Sequence, residues 1–268
     1  MSKRNHISFF LSRLVPIFIL TPILLWGCSG SGAYAPPIGP EPTQMAALPG
    51  QYGVAVQPLG DVYHEVGPME TIWRISKMYG VEQADIMRAN NIQNAGKLKI
   101  GQKLLIPQAE RPRDVVPLYN VRPWSYMIVH HTATDIGNAK LIDKSHHNRG
   151  WVEGLGYHFL IDNGTLGKGN GQIEVGPRWV KQMDGAHTKA GNMNSVGIGV
   201  SVVGNFSEAY VSEQQMQSLV SLINILRNHY HIPLNHVMGH RDVPGAQTEC
   251  PGKMFPWSEL MRRLRSSQ

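Results

Sequence analysis

Several things are scarce in this chain. Only two of its 268 residues are cysteine, Cys28 and Cys250, so a disulfide-stapled scaffold is excluded. Charged residues make up 16%, and 25 basic against 19 acidic side chains leave +6 with His neutral. An excess of that size, without a clustered patch, does not point to nucleic acid as a partner. No apolar run reaches the ~20 residues of a membrane-spanning helix. What is present is a 42% apolar fraction, enough to bury cores and to exclude wholesale disorder, and 12 histidines, several in close company. The length suits one large domain or two unequal ones.

The N-terminus reads as an export signal. Lys3, Arg4 and Arg13 precede the apolar run Leu14–Trp26, which contains Pro16 and Pro22 and ends at Gly27-Cys28-Ser29. A short apolar stretch after basic residues is a signal-peptide core. The segment Leu25-Trp26-Gly27-Cys28 resembles the lipobox of bacterial lipoproteins. That resemblance implies removal of residues 1–27, lipidation of Cys28 and attachment to a membrane. Ser29 after the cysteine implies the periplasmic face of the outer membrane in a Gram-negative cell. Loss of residues 1–27 also removes half of the net positive charge.

Residues 28–60 hold six Pro, six Gly and one charged residue, Glu41, with no apolar period. They are expected to form a flexible tether. The charged, Pro-bearing stretch 108–122 is expected to be a linker. Two folded units remain, 61–107 and 123–268.

In the first, Asp61–Val66 alternates as a short strand. Thr71 is placed as an N-cap before Ile72, Ile75, Met78 and Tyr79 at helical spacing, with Gly80 as a stop. A second helix around Ile86, Met87 and Ala89 and a closing strand at Lys103–Pro107 complete a β-α-α-β order. The segment resembles a LysM domain through Tyr63, Thr71-Ile72, Tyr79-Gly80-Val81, Asn90-Asn91 and Ile100-Gly101-Gln102. The family's usual Gly-Asp before the threonine is here Met69-Glu70. The resemblance implies binding of N-acetylglucosamine-containing glycan strands through Gly67–Thr71 and Asn91-Ile92, with Thr71 and Asn91 as contacts.

The second unit mixes strands and helices. Tyr126–Val129, Gly156–Ile161, Val196–Val203 and His236–His240 read as strands, and Asp162-Asn163-Gly164-Thr165 as a hairpin turn. Helices are expected from Ala139, from the capping box Ser212–Gln215, and from about Pro256. The expected fold class is α/β: a central mixed sheet flanked by helices, preceded by the small β-α-α-β domain. His130, His240 and Cys250 fall at or just beyond strand ends. Two imidazoles and one thiolate suit Zn²⁺ with a fourth position left for water.

Residues 124–257 resemble the zinc-dependent N-acetylmuramoyl-L-alanine amidases, a superfamily shared with phage amidase-type lysozymes and peptidoglycan recognition proteins. The resemblance is carried by Ile128–Thr134, Arg149-Gly150-Trp151 with Gly156–Phe159, Asp162–Thr165, Gly185-Ala186-His187, Asn194–Ile198, Gly239–Asp242 and Thr248–Gly252. It implies that His130, His240 and Cys250 are the metal ligands, that Tyr157 and Thr248 serve catalysis, and that His187 and Asn194 face the muropeptide stem. Cys250 and Ser201 stand where another branch carries Asp and Glu, and the general base is left open. The reaction implied is hydrolysis of the amide between N-acetylmuramic acid and L-Ala of the stem peptide. The competing reading is a non-catalytic peptidoglycan receptor or tether on the same fold, whose binding-only members lack the cysteine. Of the other histidines, His131 is expected to face away from His130 and His158 to pack in the core. His146 and His147, on a helix, are expected to be solvated or to line a groove rim.

Overall fold

The structure is a computed structural model and describes residues 39–48, 59–110 and 114–267. The export signal, Cys28 and most of the tether lie outside the described residues. All described residues fall in one compact unit.

The small N-terminal fold begins with β2 (Gly60–Glu65), which follows β1 (Gln44–Ala47) in the chain. Then come α1 (Ile72–Tyr79), α2 (Gln83–Ala89) and β3 (Lys103–Ala109). Thr71 accepts from the Arg74 N–H at 3.2 Å and starts α1, and Gly80 at φ 66° ends it. Ile72, Ile75 and Met78 bury one stripe of α1 against Leu104 and Ile106 of β3. Asn90 ties α2 to β3: its amide donates to the Leu105 carbonyl and accepts from the Leu105 N–H, both at 2.7 Å.

The larger fold runs β4 (Val115–Leu118), β5 (Tyr126–His131), α3 (Ala139–Asn148), β6 (Phe159–Asn163), β7 (Asn170–Val175) and α4 (Pro177–Val180). It continues with α5 (Met193–Val196), β8 (Gly197–Val202), α6 (Glu213–Tyr230), β9 (Val237–Gly239) and α7 (Trp257–Ser266). Five strands form one sheet in the order β7-β6-β8-β5-β9. Only the β6–β7 hairpin is antiparallel, so the sheet is mixed. Strand alternation splits the side chains. Met127, Val129, Phe159, Ile161, Val200 and Val202 face α6 and α7 in the main core. Ile128, His130, Leu160 and Ser201 are on the opposite face, where α3 packs through Ala139 and Ile142. Helix α6 starts at the Ser212–Gln215 capping box and buries Met216, Leu219, Leu222, Ile223 and Leu226. Each such side chain contributes about 1.5–3 kcal/mol on burial.

Two expectations need correction. Part of the tether and part of the linker are ordered against each other: β1 pairs antiparallel with β4, Gln44 opposite Leu118. Leu48, Val116 and Leu118 are buried in the main core, and Trp179 donates to the Pro117 carbonyl at 2.7 Å. A two-stranded edge ribbon tolerates Pro117, which a central strand would not.

The second correction concerns the boundary between the two folds, which is a packed interface rather than a free joint. Arg74 of α1 donates to the carbonyls of Val115 and Ile173. Lys168 donates to the Glu65 carbonyl at 3.0 Å and pairs with Glu174 at 3.0 Å. Lys140 of α3 pairs with Glu65 at 2.9 Å. Glu70 lies inside, 2.7 Å from His64 and 3.2 Å from Arg74. Burial opposes its charge, yet His64, Arg74 and Lys168 hold its carboxyl well below the usual carboxylate range.

Candidate metal centre

His130 is the penultimate residue of β5 and is buried, His240 follows β9 directly, and Cys250 is on the loop beyond. Parallel neighbours β5 and β9 bring the first two side chains to one end of the sheet. One ligand atom from each of the three residues lies within 4.8 Å of the other two. Cys250 Sγ is 3.6 Å from His130 Nδ1. An imidazole nitrogen and a thiolate sharing one tetrahedral zinc, at bond lengths of ~2.1 and ~2.3 Å, stand about 3.6 Å apart. The donor set and its spacing therefore fit Zn²⁺. No carboxylate belongs to this group among the described residues.

The surroundings keep the imidazoles neutral, as metal ligands must be. Burial, reinforced by His187 and His240, drives the His130 pKa well below that of a free imidazole, and burial lowers His240 too. Burial pushes the Cys250 thiol up to about 11. Its proton leaves when a cation takes over the charge. The His131 backbone N–H points at Cys250 Sγ from 3.4 Å and favours the thiolate.

Tyr157 lies just before β6, its ring centroid 5.2 Å from that of His130. Burial, then the Cys250 charge, raise its hydroxyl to about 12. At neutral pH Tyr157 is therefore a donor and not a base. Thr248 is exposed, and its oxygen accepts from the Cys250 N–H at 3.1 Å, bracing the loop that carries the thiol.

His187 and Asn194, expected to face substrate, are placed differently. His187 is buried with its Nδ1 3.1 Å from His130 Nε2 and its Nε2 3.2 Å from the Gly197 carbonyl. A Cβ at Gly185 or Gly199 would overlap its ring, which is why glycine flanks it on two sides. Asn194 Oδ1 accepts from the backbone N–H groups of His187 and Thr188 at 2.9 and 3.0 Å. His187 thus meets the His130 ring, and Asn194 fixes the backbone that carries His187. Thr71 is half-buried and caps α1, while Asn91 is exposed.

His131 accepts from the Phe206 N–H at 3.1 Å and His158 is fully buried, as alternation predicts. His146 is not solvated. It is buried, accepts from the Gly156 N–H at 3.0 Å, and its ring centroid is 4.4 Å from that of Trp151 and 5.7 Å from that of Tyr157. The spacing of Ala139, Ile142, Asp143 and His146 is the buried stripe of α3 and was the available signal.

The fold and this centre define a class, a mixed-sheet α/β domain with a two-imidazole, one-thiol site. The family model described as N-acetylmuramoyl-L-alanine amidase matches residues 120–253, half of the chain, and a LysM model matches residues 64–107. Peptidoglycan-recognition protein SC2 of Drosophila simulans is 32% identical over 146 residues, covering 51% of this chain and 72% of that protein. Peptidoglycan-recognition protein 2 of Holotrichia diomphalia is 34% identical over 108 residues, covering 37% and 52%. Among solved structures, the amidase LysC from Clostridium intestinale is 36% identical, with TM-score 0.46, covering 53% of this chain and 86% of that one. The chain belongs to the N-acetylmuramoyl-L-alanine amidase family and carries a LysM domain ahead of its amidase domain.

Proposed function

We infer that this protein is a zinc-dependent N-acetylmuramoyl-L-alanine amidase acting on peptidoglycan. The observation that carries the reading is the complete trio His130, His240 and Cys250, with Sγ at 3.6 Å from Nδ1. A thiol aimed at two neutral imidazoles supports the enzyme over the binding-only reading.

His130, His240 and Cys250 would hold the ion. Bound there, zinc supplies Lewis-acid polarisation of the amide carbonyl and lowers the pKa of an attacking water. Water oxygen adds to the carbonyl carbon, the C–N bond breaks, and the nitrogen leaves protonated as the amine of L-Ala. Tyr157, still protonated, donates a hydrogen bond to the oxygen as negative charge develops on it. The His131 N–H steadies the sulfur, and His187 holds the His130 ring. In the same reading Cys28 is acylated and keeps the mature protein on a membrane beside its polymeric substrate.

Muropeptide mass spectrometry tests the reaction. Incubation of the zinc-loaded protein with a disaccharide-pentapeptide should release the intact disaccharide and a stem peptide beginning with L-Ala. Cleavage elsewhere, or tight binding without cleavage, favours a different enzyme or a receptor.

A further inference from the structure

The LysM domain is mounted so that half of its expected sugar-binding surface is hidden. Gly67 and Pro68 are buried, and Met69 packs against the main core of the amidase domain. The Glu70 side chain keeps only 5% exposure between His64 and Arg74. Thr71 spends its oxygen on the start of α1. Asn91 stays exposed, and so does the face of β2 and β3 turned away from their helices. Val62, His64, Leu104 and Ile106 point inward, and Tyr63, Glu65 and Lys103 point out.

That open face and the amidase domain wall a groove of about 810 Å³. Tyr63, Glu65 and Lys103 line it from the LysM side. Lys140, Leu141 and Lys144 of α3 line it from the amidase side, with Leu166 of the β6–β7 loop. None of these residues belongs to the metal centre. We propose that this groove is a second peptidoglycan site, seating a sugar ring on Tyr63 and stem-peptide carboxylates on Lys103 and Lys144.

Three observations carry the choice of ligand. Tyr63 is 73% exposed, a flat apolar ring with a polar tip, and its negative face attracts the slightly positive C–H edges of a pyranose. Leu141 and Leu166 extend the apolar floor, both well exposed. Glu65 is the one acid in the lining, and Lys140 already neutralises it at 2.9 Å. Lys103 and Lys144 have no ion-pair partner among the described residues. The groove is thus apolar with two free ammonium groups, which matches an uncharged glycan bearing a few carboxylates. A polyphosphate backbone would call for many more cations. Because Lys168, Arg74 and Glu65 lock the two domains together, the walls keep a fixed spacing. A strand held here is presented to the same molecule's amidase site at high effective concentration.

The ligand identity rests on the amidase reading, and the test separates the two. Full-length protein carrying Tyr63→Ala and Lys144→Glu together is compared with wild type. Binding is read by pelleting with purified sacculi, and turnover on a soluble disaccharide-pentapeptide. Both side chains are exposed, so the melting temperature should not move. The affinity for sacculi should fall at least about tenfold, with kcat/KM on the soluble substrate unchanged to within about twofold. Undiminished sacculus binding, or an equal loss on both substrates, overturns the proposal. Loss of binding to vesicles of anionic lipid with sacculus binding intact would assign the groove to a membrane and overturn it as well. If wild type shows groove-dependent sacculus binding but cleaves neither substrate, the groove stands and the amidase reading falls.

Discussion

His187 decides which nitrogen of His130 carries the proton. The Gly197 carbonyl 3.2 Å from His187 Nε2 can only accept, so that nitrogen carries the proton. His187 Nδ1 is then an acceptor, and His130 Nε2, 3.1 Å away, must donate to it. His130 Nδ1 is left with a free lone pair on the side of Cys250 Sγ. A backbone carbonyl thus sets the tautomer of His130 through one intervening ring, as an outer partner does for a histidine that binds metal.

His187→Ala should lower zinc affinity by about 10- to 100-fold, the cost of losing a partner that orients a ligand. His187→Asn, which keeps an acceptor near the Nδ1 position, should recover part of the loss. Competition with a chelating dye measures both. Wild-type affinity in the alanine variant would remove His187 from the centre.

Tyr157→Phe removes only a hydroxyl. If that hydroxyl donates to the developing oxyanion, kcat should fall by roughly 10²–10³, with zinc content and melting temperature nearly unchanged. A variant with near wild-type kcat would make Tyr157 a packing residue.

The interface between the domains makes the LysM unit part of the amidase fold. Arg74→Ala leaves Glu70 buried with one partner fewer and strips two carbonyls of a donor. It should cost about 3–5 kcal/mol in denaturant unfolding, the range for breaking a buried pair. Deletion of residues 61–107 should likewise destabilise the amidase domain by exposing Lys168, Glu174 and the β7 edge. A loss below about 1 kcal/mol for Arg74→Ala, the range of an exposed pair, would mean that the domains merely touch.

Asp162 gives a pH prediction. It is fully buried on β6 and neither carboxyl oxygen meets a donor. Burial, then the neighbouring Glu174 charge, raise its pKa well above a free carboxylate. A raised folded-state pKa stabilises below the unfolded value of ~3.9 and loses that contribution as pH climbs toward the folded value. Asp162→Asn, which cannot titrate, should therefore gain on wild type in melting temperature as the pH rises above about 4. Parallel melting curves across that range would show that Asp162 ionises as freely in the folded chain as in the unfolded one.

Much of this was legible in the sequence because it is local or periodic. Alternation at Ile128-Val129-His130-His131 separates a candidate ligand from a sheet-face histidine, and Ser212–Gln215 announces α6. The β1–β4 ribbon was not legible, since two four-residue strands with a proline show no usable period. The interface was hidden for a different reason. Glu65 meets Lys140 and Arg74 meets Ile173 across long stretches of chain, and such pairs leave no local pattern. His187 sits in a loop, where no periodicity tells a substrate-facing side chain from a buried one.

Zinc titration of metal-stripped protein, read by stem-peptide release, tests the central claim most directly. Hydrolysis should be absent without metal, rise linearly to one equivalent and then level off. Cys250→Ser, which replaces a thiolate by a neutral hydroxyl, should neither hold the ion nor cleave at that stoichiometry. Full hydrolysis by the stripped protein, or one tightly held zinc with no stem peptide released, would contradict the account.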